Sequence, residues 1–193
     1  MSGVVGVLLA GGTGSRFGPG SKLLQLLADG RPIARAAADA LVAGMGGAIA
    51  VVRPGQGELA GLLMEAGLEV VTTPAAERGM GASLAAGVAA AGAGRGWVIA
   101  LADMPWIAPE TVATVAAAVR AGAGIAVPEH AGRGGHPVGF GEALGAELCA
   151  LDGDSGARSV VTAYAHRRVP VAVDDPGIHR DVDRPADLKG EGV

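Results

Sequence analysis

One α/β domain spanning residues 1–193, built on a doubly wound, mostly parallel sheet, is predicted by two observations. Short apolar runs rich in Val, Ile, Leu and Ala at 4–10, 48–52, 68–72, 97–102 and 125–127 alternate with Ala-rich amphipathic stretches at 33–43, 58–66, 81–91 and 109–121. Strand-sized and helix-sized segments in alternation are the pattern of a parallel sheet with helices on both faces. The unusual residues, AGGTGSR and ADMPW, follow the first and fourth runs. Ligands of such sheets sit outside the carboxyl ends of the strands, so both segments fall where a site is expected.

Each element has its own local reason. The first run lacks a preceding basic segment and ends at a glycine loop, so it reads as a buried strand rather than a signal peptide. Glycines follow Ala43, Ala66 and Ala121, where helices should stop, and Pro109 with Glu110 and Thr111 suits a helix start. Beyond Val127 the rhythm changes. HPVGF (136–140) and RRVPVAV (167–173) read as further strands around a helical stretch near 155–164, and PADLKGEGV forms a short tail. The 34 glycines show no period, and no linker or repeat interrupts the chain.

Composition narrows the function classes. Half the residues are hydrophobic, yet no run approaches the roughly 18 to 20 apolar residues of a membrane span. A single cysteine, Cys149, provides neither a disulfide framework nor a thiolate metal cluster, which suits a cytoplasmic protein. The formal charge of −4 argues against a nucleic-acid-binding surface. Only two of the 15 basic residues are lysines, Lys22 and Lys189. In a chain that otherwise uses arginine, a lysine in the first loop points to a site needing a compact point charge rather than a planar fork.

The glycine loop excludes two templates. A dinucleotide fingerprint counted from Gly12 and Gly14 requires glycine where Phe17 stands, and the acidic residue expected after the second strand is missing. A P-loop requires glycine before the lysine and Ser or Thr after it, whereas Lys22 lies between Ser21 and Leu23. What remains is an anion nest. Consecutive glycines let backbone N–H groups turn around a triphosphate, Arg16 can fork two phosphate oxygens, and Lys22 can meet a third.

LAGGTGSRFG followed by Lys22 resembles the signature loop of the MobA-like nucleotidyltransferases. ERGMGASLAAGV (77–88), LADMPWIAPETV (101–112), GRGGHPVGF (132–140), LDGDSGARSVV (151–161) and DVDRPADL (181–188) are similar, in order, to later motifs of molybdenum cofactor cytidylyltransferases. The resemblance runs from Val5 to Leu188. It implies a Rossmann-like fold of the nucleotide-diphospho-sugar transferase type, with Leu9, Ala10, Gly11, Gly12, Gly14, Ser15, Arg16 and Lys22 around the nucleotide. Gly81 and Ser83 would lie against the base, although a helix N-cap would use the same serine atoms.

Asp103 ends the fourth strand, where a carboxylate is cheap if it faces a metal at the sheet edge. By resemblance Asp183, with Asp181 the weaker candidate, supplies the second Mg²⁺ ligand. His136, Asp154 and Arg158 are candidates for the acceptor, with structural and capping roles as alternatives. Arg78 reads as a surface arginine.

The implied reaction loads CMP from CTP onto the phosphate of molybdopterin and releases pyrophosphate, with Arg16, Lys22 and Asp103 as its catalytic residues. A molybdoenzyme or its chaperone is the implied protein partner. Gly11, where LAGG stands in place of LAAG, is the form common in guanylyl members, so GTP is the alternative nucleotide. Another phosphorylated small molecule is the alternative acceptor. An NAD(P)H-binding oxidoreductase or a cofactor-carrying chaperone on the same scaffold is the alternative of another class.

Overall fold

The first apolar run is buried on both faces, as the middle strand of a covered parallel sheet must be. In the computed structural model, which describes residues 3–12, 17, 21–92, 94 and 96–189, this run is β1 (Val5–Leu9). It pairs in parallel with β2 (Ala48–Val52) and β4 (Gly96–Leu101), Leu9 lying opposite both Val51 and Leu101. β3 (Leu68–Thr72) extends the sheet beyond β2. These four strands have the order β3-β2-β1-β4.

The last third of the chain breaks the parallel pattern. β7 (Val138–Gly141) enters antiparallel between β4 and β5 (Ile125–His130). The two-residue β6 (Arg133–Gly134) forms a hairpin with β5, and β8 (Arg168–Ala172) pairs with β5 in parallel. Among the described residues they make a sheet of eight strands, mostly parallel at its centre.

Helices cover both faces, and the alternation along β1 shows how they divide it. Leu8 and Ala10 belong to one core with Ile33 and Leu41 of α1 (Ile33–Met45), Leu59 and Leu63 of α2 (Gly57–Glu65), and Val115 and Val119 of α4 (Pro109–Arg120). Val7 and Leu9 belong to the other, with Leu84 and Val88 of α3 (Met80–Ala91), Leu148 of α5 (Gly145–Cys149) and Val160 of α6 (Arg158–Ala163). Among the described residues no helix is long and apolar enough to cross a membrane.

Two local expectations are corrected. α1 runs through Gly44 and stops at Gly46, which takes the left-handed conformation at φ 78°. Gly44 is instead a packing residue, because a Cβ there would lie 2.6 Å from that of Val112 on α4. α5 and β6 were not anticipated, and the tail carries a 3-10 turn at Pro185–Lys189.

One buried carboxylate ties the end of the chain to α4. Asp175, 6% exposed, accepts bonds from the Ala108 N–H (2.9 Å), the Thr111 hydroxyl (2.7 Å) and the Gly177 N–H (2.9 Å). It serves α4 as a cap supplied from a distant segment, since Ala108 is the N-cap and makes no side-chain cap bond of its own. Asp175→Ala leaves three donors without their acceptor and is expected to lower unfolding free energy by about 2–4 kcal/mol, measured by urea denaturation.

Candidate active site

The strand order brings three chain segments to the carboxyl edge at the centre of the sheet. β1 delivers Gly11 and Gly12, β4 delivers Asp103, and the segment after β8 delivers Asp183. The Val182 N–H donates to the Asp103 carbonyl at 2.9 Å, which fixes that segment beside the end of β4. Asp187 accepts the N–H groups of Asp183 (2.8 Å) and Arg184 (2.7 Å), which set the turn and hold the Asp187 carboxyl below its usual range.

Lys22 closes the cluster. It begins a 3-10 turn, Lys22–Leu24, anchored by buried Leu23. Its ammonium donates to Asp103 Oδ2 at 2.7 Å and stands 3.6 Å from Asp183 Oδ1. The lysine side chain is only 11% exposed, against 26% for Asp103 and 46% for Asp183. The aspartates therefore reach solvent and ligand while the ammonium sits beneath them. Partial burial and the charges of Asp183 and Asp103 hold the Asp181 carboxyl above its usual range.

The donor set fits a hard divalent cation. Two carboxylates face one point already occupied by a positive charge, and among the described residues no group of three or more His, Cys, Asp or Glu could form a complete protein cage. Mg²⁺ and similar ions accept this arrangement, taking one or two carboxylates and completing the shell with water and phosphate oxygens.

A cavity of about 630 Å³ runs from this cluster along the sheet edge. Leu9, Gly11, Gly12, Ala76, Gly79 and Ser83 form much of its wall. Ser83 lies within the first turn of α3 and is not its N-cap. Its hydroxyl donates to the Gly79 carbonyl at 2.9 Å, so toward the cavity it can only accept. Gly11 packs directly on this hydroxyl: a Cβ there would sit 3.1 Å from Ser83 Oγ and 3.0 Å from Ala76 Cβ.

The glycines of the GMGAS motif explain why it occurs with GDSG. Gly79 has φ 126°, and a Cβ on it would fall 2.3 Å from Asp154 Oδ1. The Gly81 N–H donates to the Gly153 carbonyl at 2.7 Å. The two loops are thus stapled backbone to backbone, which places Asp154 on the cavity wall. Arg78 pairs with Asp152 at 3.0 Å across exposed surface, a contact of little energetic weight.

The remaining sequence candidates divide. Ala10 is buried beside the cavity, and Gly81 supports it without lining it. Arg158 starts α6 in solvent and does not line the cavity. His136 does not line the cavity, and its Nδ1 is buried without a hydrogen-bond partner among the described residues. Burial lowers its pKa, opposed by the charge of Asp103. Gly14, Ser15 and Arg16 lie outside the described residues. Arg53, Gln56, Glu77 and Met80 also line the cavity and were missed. For Arg53 and Gln56 the available signal was position, just past the carboxyl end of β2.

The same architecture recurs in solved structures. The crystal structure of Rv0371c from Mycobacterium tuberculosis H37Rv superposes with a TM-score of 0.83 at 29% identity, covering 97% of this chain and 96% of that one. Rv0371c in complex with manganese gives 0.80 at 25% identity, with 97% of each chain covered. A homologue from Mycobacterium sp. strain JC1 gives 0.80 at 28% identity over 96% of this chain and 93% of that one. Among curated proteins none matches the sequence significantly. Residues 6–169, from β1 into β8, match the MobA-like NTP transferase domain, and the chain belongs to that family.

Proposed function

We propose that this protein is a Mg²⁺-dependent transferase that moves CMP from CTP to the phosphate of molybdopterin and releases pyrophosphate. Membership of the family already implies a nucleoside triphosphate substrate. The observation that carries the reading is the Lys22 ammonium held between Asp103 and Asp183 at the head of the cavity. That cluster suits a reaction in which two anions must meet. Manganese in the related Rv0371c supports a divalent metal here.

The acceptor phosphate is ionised at neutral pH, so its oxygen attacks the α-phosphorus without a general base. A new P–O bond forms, the bond to the β-phosphate's bridging oxygen breaks, and pyrophosphate leaves with the electron pair. Asp103 and Asp183 would hold the metal, which supplies neutralisation of phosphate charge when bound. Lys22 contributes a fixed cation from a nearly buried position, where its charge is weakly screened. The glycine loop orients the triphosphate for in-line attack.

The choice of CTP rests on GMGASLAAG and DMPWIAPET, together with a serine that presents an acceptor to an amino-bearing base. Gly11 favours GTP as the second reading. Yet the contact of Gly11 with Ser83 and Ala76 leaves little room for the alanine of LAAG, which gives the glycine a packing reason independent of the base. Pyrophosphate release with molybdopterin, Mg²⁺ and equimolar CTP and GTP is the test. CTP consumption in excess of GTP is expected; GTP preference moves the assignment to guanylyl transfer, and no release with either nucleotide removes the molybdopterin reading.

A further inference from the structure

Among the described residues Arg53 is the second cation on the cavity wall, and it stands apart from Lys22. It follows β2, while Asp103 follows β4, and β1 lies between them. At about 4.8 Å per strand, the two positions are roughly 10 Å apart across the sheet edge. Lys22, Asp103 and Asp183 occupy the end suited to phosphates and metal. A ribose between the ends would bring a base toward Arg53.

Arg53 has unspent donors. Its Nη2 donates weakly to the Gly12 carbonyl at 3.4 Å, and Nε is buried without a hydrogen-bond partner among the described residues. Gln56 turns Oε1 onto the Arg53 N–H at 3.0 Å, which leaves its amide N–H groups as further donors. The two consecutive glycines complete the arrangement: Gly11 touches the Ser83 hydroxyl, an acceptor, and Gly12 touches the Arg53 guanidinium, a forked donor.

We infer that Arg53 is a base-selecting residue whose guanidinium donates to O2 and N3 of cytosine while Ser83 Oγ accepts from the exocyclic amine, an inference that rests on the nucleotidyl-transfer reading above. Cytosine presents a donor and two neighbouring acceptors in that order. Uracil would set its N3–H against the guanidinium and its O4 against the serine lone pairs. Adenine lacks the second acceptor. A site whose buried polar groups are left unpaired by the wrong ligand discriminates strongly, because the loss includes desolvation that nothing offsets.

Titration calorimetry of the full chain with Mg²⁺ and CTP, UTP, GTP or ATP, and with inorganic tripolyphosphate as a phosphate-only probe, tests the assignment. The wild type is expected to select CTP. Arg53→Met should lose about 10- to 100-fold of CTP affinity and bring the CTP-to-UTP ratio near one, while tripolyphosphate binding stays unchanged. Arg53→Lys keeps the charge and guards against a folding defect, and it should show the same loss because one ammonium does not reproduce the fork. An unchanged CTP-to-UTP ratio in both variants overturns the inference. A uniform loss that includes tripolyphosphate also overturns it, assigning Arg53 to phosphate. A wild type that selects GTP keeps the transferase and discards the cytosine contact, whereas one that binds no triphosphate defeats the transfer reading itself.

Discussion

Asp103→Asn is expected to lower kcat for pyrophosphate release by about 10³-fold or more, roughly 4 kcal/mol of transition-state stabilisation. Asparagine keeps the size of the side chain but removes the charge on which the proposed metal ligation depends. Fold loss is not the cause to expect, because the backbone carbonyl of residue 103 still accepts the Val182 N–H. A second readout separates the two explanations. Without metal, CTP should bind the variant more tightly than the wild type, since a carboxylate that repels the triphosphate has been removed. Weaker metal-free binding, or wild-type turnover, would remove Asp103 from the role assigned to it.

Lys22→Met should lower kcat/KM by about 10²- to 10³-fold, close to the cost of removing one preorganised donor from a shielded site. The substitution has a distinctive signature in stability. Asp103 loses the cation that lies 2.7 Å from its Oδ2, and a methionine thioether cannot donate in its place. Removing one partner of a partly buried ion pair leaves a carboxylate without its counter-charge, so the variant should be less stable than the wild type at neutral pH, measured by urea denaturation. Mn²⁺ should raise its Tm more than that of the wild type, because no ammonium competes for the carboxylates. Lys22→Arg should not restore activity, since a planar fork does not fit the 11% exposed space around a compact ammonium. Full activity in either variant would show that the cation is dispensable.

The parallel half of the fold was legible because its elements are long enough for period to speak. β1 to β4 and α1 to α4 lie within a few residues of the positions their apolar runs predict. Short elements were less visible. α5 spans only Gly145–Cys149 and opens on glycine, and β6 is a two-residue pairing that no period can reveal. Lys22, Asp103 and Asp183 stood out by residue type and position, and the structure brings them together. Arg53 did not stand out. In a chain whose basic residues are nearly all arginines, one more at the end of a strand carries no compositional signal, and only the cavity wall makes it conspicuous.

The Lys22–Asp103 pair joins residues 81 positions apart, and Asp183 reaches the same ammonium from the segment beyond β8. During synthesis the four-stranded parallel sheet has all its residues long before Asp183 has been added. A nascent chain can therefore acquire much of its hydrophobic core while its charge cluster is still one carboxylate short. Assembly of the whole cluster therefore waits on the segment after β8, whatever order the core elements follow.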